Sequence, residues 1–199
     1  MTRYSASFGS VVAVIVVAHL GSLSGAGGSL SGTVRVIGSP SNADAVVYLQ
    51  HASGTFTPPA KPTDLDQRNM QFSPHVLPVV LGTIVRFLNN DSTSHNIFSP
   101  DNEQYNLGTL PQRETKTYTF GKCAKVPCVY TQLCHVHPEM EAYIVVLENP
   151  FFDVSKRDGH YQIDNVPPGQ YVVGLWHPKL VAGFRPVTIE AGKPAIVDF

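Results

Sequence analysis

The sequence predicts an all-β protein, and three observations carry that expectation. No stretch repeats its apolar residues at helical spacing for three turns. Short runs rich in Val, Ile, Tyr and Phe recur instead between Gly, Pro and Asn, the pattern of half-buried strands joined by tight turns. The composition agrees: 199 residues include 16 Gly and 16 Pro, and only 15% are charged, against about 25% in an average soluble chain. With 14 basic and 15 acidic residues the net charge is -1, which argues against a coiled coil, an acidic tail or a nucleic-acid partner.

The first 26 residues read as an export signal. Arg3 supplies a positive start, residues 11–20 are apolar apart from His19, and Ser24-Gly25-Ala26 offers the small residues of a cleavage site. The apolar run is shorter than the roughly 18 residues a spanning helix needs. We therefore expect cleavage near Ala26, no membrane span in the mature chain, and a periplasmic or otherwise extracytoplasmic location. No cysteine follows the run to carry a lipid anchor.

Strands are expected in order along the rest of the chain. Residues 31–37 and 45–50 flank a Gly-Ser-Pro-Ser-Asn-Ala-Asp turn, and a Pro-rich connector follows at 57–63. Further strands read at 70–72, 76–80, 83–88, 115–120, 129–133 and 142–147, and a boundary falls at 148–152. Asp158-Gly159 opens a turn into 160–163, Val166-Pro167-Pro168-Gly169 turns into 170–176, and 187–190 and 195–199 finish the chain. Neither end of the chain carries enough strands to bury a core alone. The economical arrangement has 27–56 and 150–199 pairing as one unit, with 57–149 inserted between them; two consecutive domains are the alternative.

Three cysteines remain, Cys123, Cys128 and Cys134, and an odd count in an exported chain leaves one without an internal partner. Cys123 and Cys128 flank Ala-Lys-Val-Pro and suit a small disulfide loop. Spacing alone also permits a bond from either of them to Cys134. What surrounds Cys134 argues for another use.

Cys134, His137 and Met140 stand at steps of three in one loop between two strands, and His95 follows the strand at 83–88. A thiolate, two imidazoles and a thioether are the donor set of a blue-copper site, with the thioether as a weak axial ligand. Pro138 keeps His137 out of helical geometry, so the loop curls and directs the three side chains at one centre. His95 closes the site from a neighbouring strand end.

The same residues resemble a known family. Phe72-Ser73-Pro74, Gly82-Thr83, Phe87-Leu88-Asn89-Asn90-Asp91 and His95-Asn96 are similar to the first strands and first histidine motif of the cupredoxins. Thr119-Phe120-Gly121 and Val129-Tyr130, leading into Cys134, resemble the approach to the ligand loop of the short-loop, amicyanin-like members. The likeness spans roughly residues 65 to 148. It implies a Greek-key β-sandwich, one type 1 copper held by His95, Cys134 and His137 with Met140 axial, and Asn96 locking the two ligand loops together. The Cys123 and Cys128 pair departs from the family pattern. The flanks, Ser31-Gly32-Thr33-Val34 with Ala45-Val46-Val47-Tyr48-Leu49 and then 158–163 with 166–171, look like a smaller carboxypeptidase regulatory-like (transthyretin-like) β-sandwich. The whole arrangement is similar to exported proteins of the methylamine-utilisation kind.

The other histidines get simpler readings. His51, His75, His160 and His177 are expected to be structural or solvated. His135 adjoins Cys134, but the paired histidine motifs of a second copper cluster are missing. Met is a poor zinc ligand and no Cys-x-x-Cys pair occurs, which disfavours structural zinc. No orienting acid or oxyanion element accompanies Cys134 and His137, which disfavours thiol catalysis. The expected function is electron transfer without substrate turnover, and the resemblance to cupredoxins implies that His137, beside Val136 and Pro138, serves as the electron port. The expected partner is a redox protein such as a cytochrome or a copper or quinone oxidoreductase. The alternative is a copper-binding or scaffolding module in a surface assembly.

Overall fold

The computed structural model describes residues 27–199. The expected signal, residues 1–26, lies outside the described residues. Those described form sixteen strands and no helix: β1 (Gly28–Thr33), β2 (Val46–Leu49), β3 (Thr63–Arg68), β4 (Gln71–Ser73), β5 (Val76–Val80), β6 (Ile84–Asn89), β7 (His95–Ser99), β8 (Tyr105–Leu110), β9 (Thr115–Thr119), β10 (Cys128–Leu133), β11 (Glu141–Leu147), β12 (Phe152–Val154), β13 (His160–Val166), β14 (Gly169–Trp176), β15 (Gly183–Ile189) and β16 (Pro194–Ile196). The all-β expectation holds.

The strands make four sheets, ordered β13-β1-β16, β12-β2-β14-β15, β5-β11-β10-β7-β8 and β4-β3-β6-β9. Strands from the two ends of the chain share the first two sheets: Leu30 pairs with Ile163 and Ala195, and Val47 with Leu175 and Asp153. Strands β3 to β11 make the other two.

Period-two alternation sorts side chains into three apolar layers. Leu30, Val47, Leu49, Tyr161, Val173 and Leu175 fill the space between the first two sheets. Leu65, Val85, Phe87, Phe120, Tyr130 and Ile144 fill that between the last two. A third layer, Val46, Tyr48, Val76, Val145 and Leu147 with Tyr143, Phe152 and Trp176 against it, joins the two sandwiches face to face. Strand β11 shows why it reads as an unbroken apolar run: Ala142, Ile144 and Val146 face one core while Val145 and Leu147 face the joint. Strand β10 alternates cleanly, with Cys128, Tyr130 and Gln132 buried and Val129, Thr131 and Leu133 half-buried.

Four strands were not expected from sequence: β3, β7, β8 and β12. Only Leu65 and Gln67 of β3 point inward, and its polar alternation hid it. Its parallel pairing with β6 sets Leu65 beside Phe87, and outward-facing Asp64 accepts two hydrogen bonds from Arg86, at 2.7 and 2.8 Å. Strand β8 carries Gly108 at a φ of 74°, and the register slips between Ile97 and Phe98 opposite it, which breaks the alternation. Strand β12 has three residues. Strand β15 begins at Gly183, earlier than the expected 187, and tolerates Pro186 because it is the edge of its sheet. The turn at Asp158-Gly159 requires its glycine: φ is 91°, and a Cβ would lie 2.3 Å from the Val34 carbonyl oxygen.

Cys123 and Cys128 form a disulfide that closes the turn entering β10, and Cys134 is free and buried. Among the described residues no helix is long and apolar enough to cross a membrane.

Candidate metal centre

The site begins at the end of β6. Asn89 is buried, and its Nδ2 donates to the carbonyls of Thr93 and Leu110, each at 2.8 Å, while its Oδ1 accepts the Asp91 N–H at 3.0 Å. These bonds fold residues 89–94 into a compact bend that delivers His95 to the start of β7. Asp91 is held in turn: its Oδ2 accepts the Met70 N–H at 2.7 Å and its Oδ1 the Ser92 N–H at 2.9 Å. Those backbone donors, that of Met70 first, hold the carboxyl below the usual carboxylate range. Met70 reaches Asp91 from the β3–β4 turn, where Asn69 and Met70 both have positive φ, 54° and 58°, as a two-residue type I′ connection requires.

Asp91 Oδ2 also lies 3.1 Å from Nε2 of His95, whose side chain is fully buried. The carboxylate accepts the Nε2 hydrogen, so Nδ1 carries the lone pair and points into the site. That Nδ1 is 2.9 Å from Nδ1 of His137 and 4.0 Å from Sγ of Cys134, and the His137 Nδ1 to Sγ distance is 3.8 Å. Two imidazole nitrogens this close need a cation or a proton between them. The three distances enclose a point about 2.1 Å from each donor atom, the length of a bond from a first-row metal ion to nitrogen and slightly short of one to sulfur. Among the described residues this is the one group of three or more His, Cys, Asp or Glu side chains placed to hold a metal.

The sulfur accepts the backbone N–H of Asn96 at 3.3 Å, which suits a thiolate and ties the two ligand loops together. The Asn96 side chain does not take part in that tie. Its Nδ2 donates to Asn106 on β8 at 3.2 Å, and its buried Oδ1 has no partner. The ligand loop is closed by the Met140 N–H donating to the His137 carbonyl at 3.0 Å. Met140 is buried in the same apolar cluster as Cys134. His137 is half-buried, and Val136 beside it is exposed. Behind Cys134, the Tyr105 hydroxyl donates to Gln132, and burial pushes that phenol well above its ordinary range.

The donor set itself fits copper: soft sulfur with two imidazoles in one compact triangle, and a thioether in the same loop. The remaining histidines lie elsewhere. His51 pairs with Glu148 at 2.7 Å and His75 with Asp44 at 2.8 Å. His177 is buried, accepts the Lys179 N–H on Nδ1 at 3.1 Å, and is held below the ordinary imidazole range by burial. His135 is exposed, its ring stacked on Phe98. Sequence reasoning assigned no role to Asp91; its spacing of four residues before His95 in a turn was the available signal.

No protein-family model matches the chain, and no curated protein matches it by sequence. Solved structures do. A purple cupredoxin from Nitrosopumilus maritimus is 24% identical over 42% of this chain and 97% of its own, with a TM-score of 0.37. The copper-containing nitrite reductase NirK from Thermus scotoductus SA-01 is 27% identical over 50% of this chain and 25% of its own, with a TM-score of 0.41, so this chain spans about a quarter of that enzyme. A reduced mutant of amicyanin is 19% identical over 45% of this chain and 91% of its own, with a TM-score of 0.40. Cupredoxins are thus among the solved structures to which part of this chain is similar.

Proposed function

We propose that this chain is an exported electron-transfer protein that holds one type 1 copper at His95, Cys134 and His137, with Met140 as the weak axial ligand. The observation that carries the reading is the closed triangle of two Nδ1 atoms and one Sγ, with Asp91 fixing the outer nitrogen of His95. A copper ion bound there would supply a one-electron couple, Cu(II)/Cu(I). The chain's residues do the rest. Asp91 and the Asn96 N–H hold the donors in place before the metal arrives, so little rearrangement accompanies the change of charge. Buried His95, Cys134 and Met140 exclude water, and half-buried His137 gives the centre its route to the surface beside Val136 and Pro138. Exposed Glu139 and Glu141 give that rim some negative charge, which favours a mildly cationic redox partner, a cytochrome or a copper or quinone oxidoreductase. In this reading residues 57–149 are a cupredoxin unit inserted between the halves, 27–56 and 150–199, of a transthyretin-like sandwich of the kind seen in exported methylamine-utilisation proteins, and the chain itself transforms no substrate.

Titration with Cu(II) tests this. An intense visible thiolate-to-copper band, one copper per chain and reversible voltammetry are expected, and Cys134→Ser removes the band. A band that survives Cys134→Ser sinks the ligand assignment. A second reading, a copper-binding or scaffolding module, is favoured by the apolar layer that joins the two sandwiches, since a diffusing carrier needs no second unit. A colourless, redox-silent copper complex would select it.

A further inference from the structure

Strand β14 ends at Trp176, whose ring packs in the joint between the sandwiches, and His177 follows it into a buried position with 7% of its surface exposed. Its Nδ1 accepts the Lys179 N–H at 3.1 Å, and the Leu180 N–H donates to the His177 carbonyl at 3.3 Å, so the ring and its own backbone together fold residues 177–180 into a turn. The ring's other hydrogen-bond partner is the backbone of Ala43, in the segment that leads into β2. Only a neutral imidazole fits this seat, because the nitrogen that accepts the Lys179 N–H has no lone pair once the ring is protonated. Burial opposes the charge as well and holds the ring below its ordinary range.

The charged and titratable groups facing the ring come from three segments. Asp44, next to Ala43, favours a positive ring, whereas Lys179 in the same turn and His75 of the other sandwich, just before β5, oppose one. Asp44 is also the partner of His75 at 2.8 Å, a contact that crosses from one sandwich to the other. The His75 ring meets that of Tyr143 edge-on, with centroids 5.6 Å apart, and Tyr143 lies against Trp176 at 5.4 Å. These contacts close a circuit across the joint that begins and ends at His177. Strand β11, which carries Tyr143, starts directly after Met140, so the circuit adjoins the ligand loop.

We propose that His177 is a proton sensor for this end of the joint. Neutral, it holds the 177–180 turn and, through Ala43 and Asp44, the contact with His75. Protonated from solvent, it leaves its seat, and the turn and the contact between the sandwiches loosen together. The sign follows from where the proton binds first: the unfolded chain takes it up near the ordinary imidazole value of 6.5, where the folded chain does not. The stability that His177 contributes is whole above that value and is lost as pH falls below it, until the folded ring also titrates. What the ligand loop binds does not enter the argument.

The test follows amide exchange in the full chain at about pH 7.5 and about pH 5.5, on either side of the ordinary imidazole value, with the intrinsic pH dependence of exchange divided out. Three amides are read: Lys179, Leu180 and, across the joint, Tyr143, which donates to the His75 carbonyl at 2.9 Å. Each is expected to lose protection by at least about fivefold at the lower pH, the factor one hydrogen bond supplies. His177→Gln offers a neutral acceptor to the Lys179 N–H at both pH values and should abolish the loss. Parent protection that holds at any of the three amides, or a fall as large in His177→Gln, overturns the proposal. Should His177→Gln fail to fold, the parent decides alone: the His177 ring signals, followed by NMR over the same range, are expected to titrate at one midpoint with the Lys179 and Tyr143 amides. Amides that titrate at another midpoint, or not at all, overturn the proposal.

Discussion

At the scale of single residues, Asp91 decides how His95 presents itself. Its carboxylate takes the Nε2 hydrogen and so leaves Nδ1 bare toward Cys134 and His137. Removing an orienting partner of a metal-ligating histidine costs about 10- to 100-fold in metal affinity. Asp91→Ala is therefore expected to weaken copper binding by about that factor, read by competition with a chelator of known affinity, while the unfolding temperature moves little. An affinity equal to the parent's would show that His95 keeps its tautomer without help. The candidate donors Cys134 and His137 were picked out in the sequence because they lie within one loop, and the structure brings them together with His95. Asp91 was not, because its role depends on a Met70 N–H brought in from another strand pair. Asn96 makes contacts of two kinds. Its backbone N–H reaches Cys134, whereas its side chain turns to Asn106, a residue of a strand the sequence pattern did not disclose.

At the scale of elements, the strands most easily read were those with a clean face. Strand β10 alternates, and β11 runs unbroken because it is covered on both sides. Strands β3, β8 and β12 were harder, for polar alternation, a bulge and shortness respectively. Close approach between elements is equally hidden. Gly174 of β14 pairs with Tyr48 of β2, and a Cβ at Gly174 would lie 2.5 Å from the Tyr48 ring, which itself packs in the joint between sandwiches. Gly174→Ala must push that ring aside, and overpacking of this kind costs about 1–3 kcal/mol. A lowered midpoint in urea unfolding is expected. An unchanged midpoint would mean the joint yields without loss.

At the scale of the molecule, the joint packs the two sandwiches against each other, and they are expected to unfold together. Val46 and Tyr48 of one sheet and Val145 and Leu147 of the other are all buried there, and Asn149 crosses between the units to donate to the Leu49 carbonyl at 3.0 Å. The single tryptophan, Trp176, lies against Tyr143 with ring centroids 5.4 Å apart and reports on this joint. Leu147→Ala removes a buried side chain and should cost about 2–5 kcal/mol. Trp176 fluorescence and the circular dichroism of the whole chain should still change together in one thermal transition, at a lower temperature than in the parent. Two separated transitions would show that the sandwiches unfold independently.

By itself the sequence determined the all-β class, many of the turns, and a candidate donor set in one loop, since all three follow from local spacing and side-chain chemistry. It also limited the cysteines to three pairings, from which only the folded chain selected Cys123 with Cys128. Tertiary structure decided which strands meet across 132 residues of intervening chain, as Leu30 meets Ile163, and which faces are covered twice. It also decided that Asp91 orients His95 and that His135 lies on Phe98. Such contacts join residues that no sequence period links, and packing alone brings them within reach.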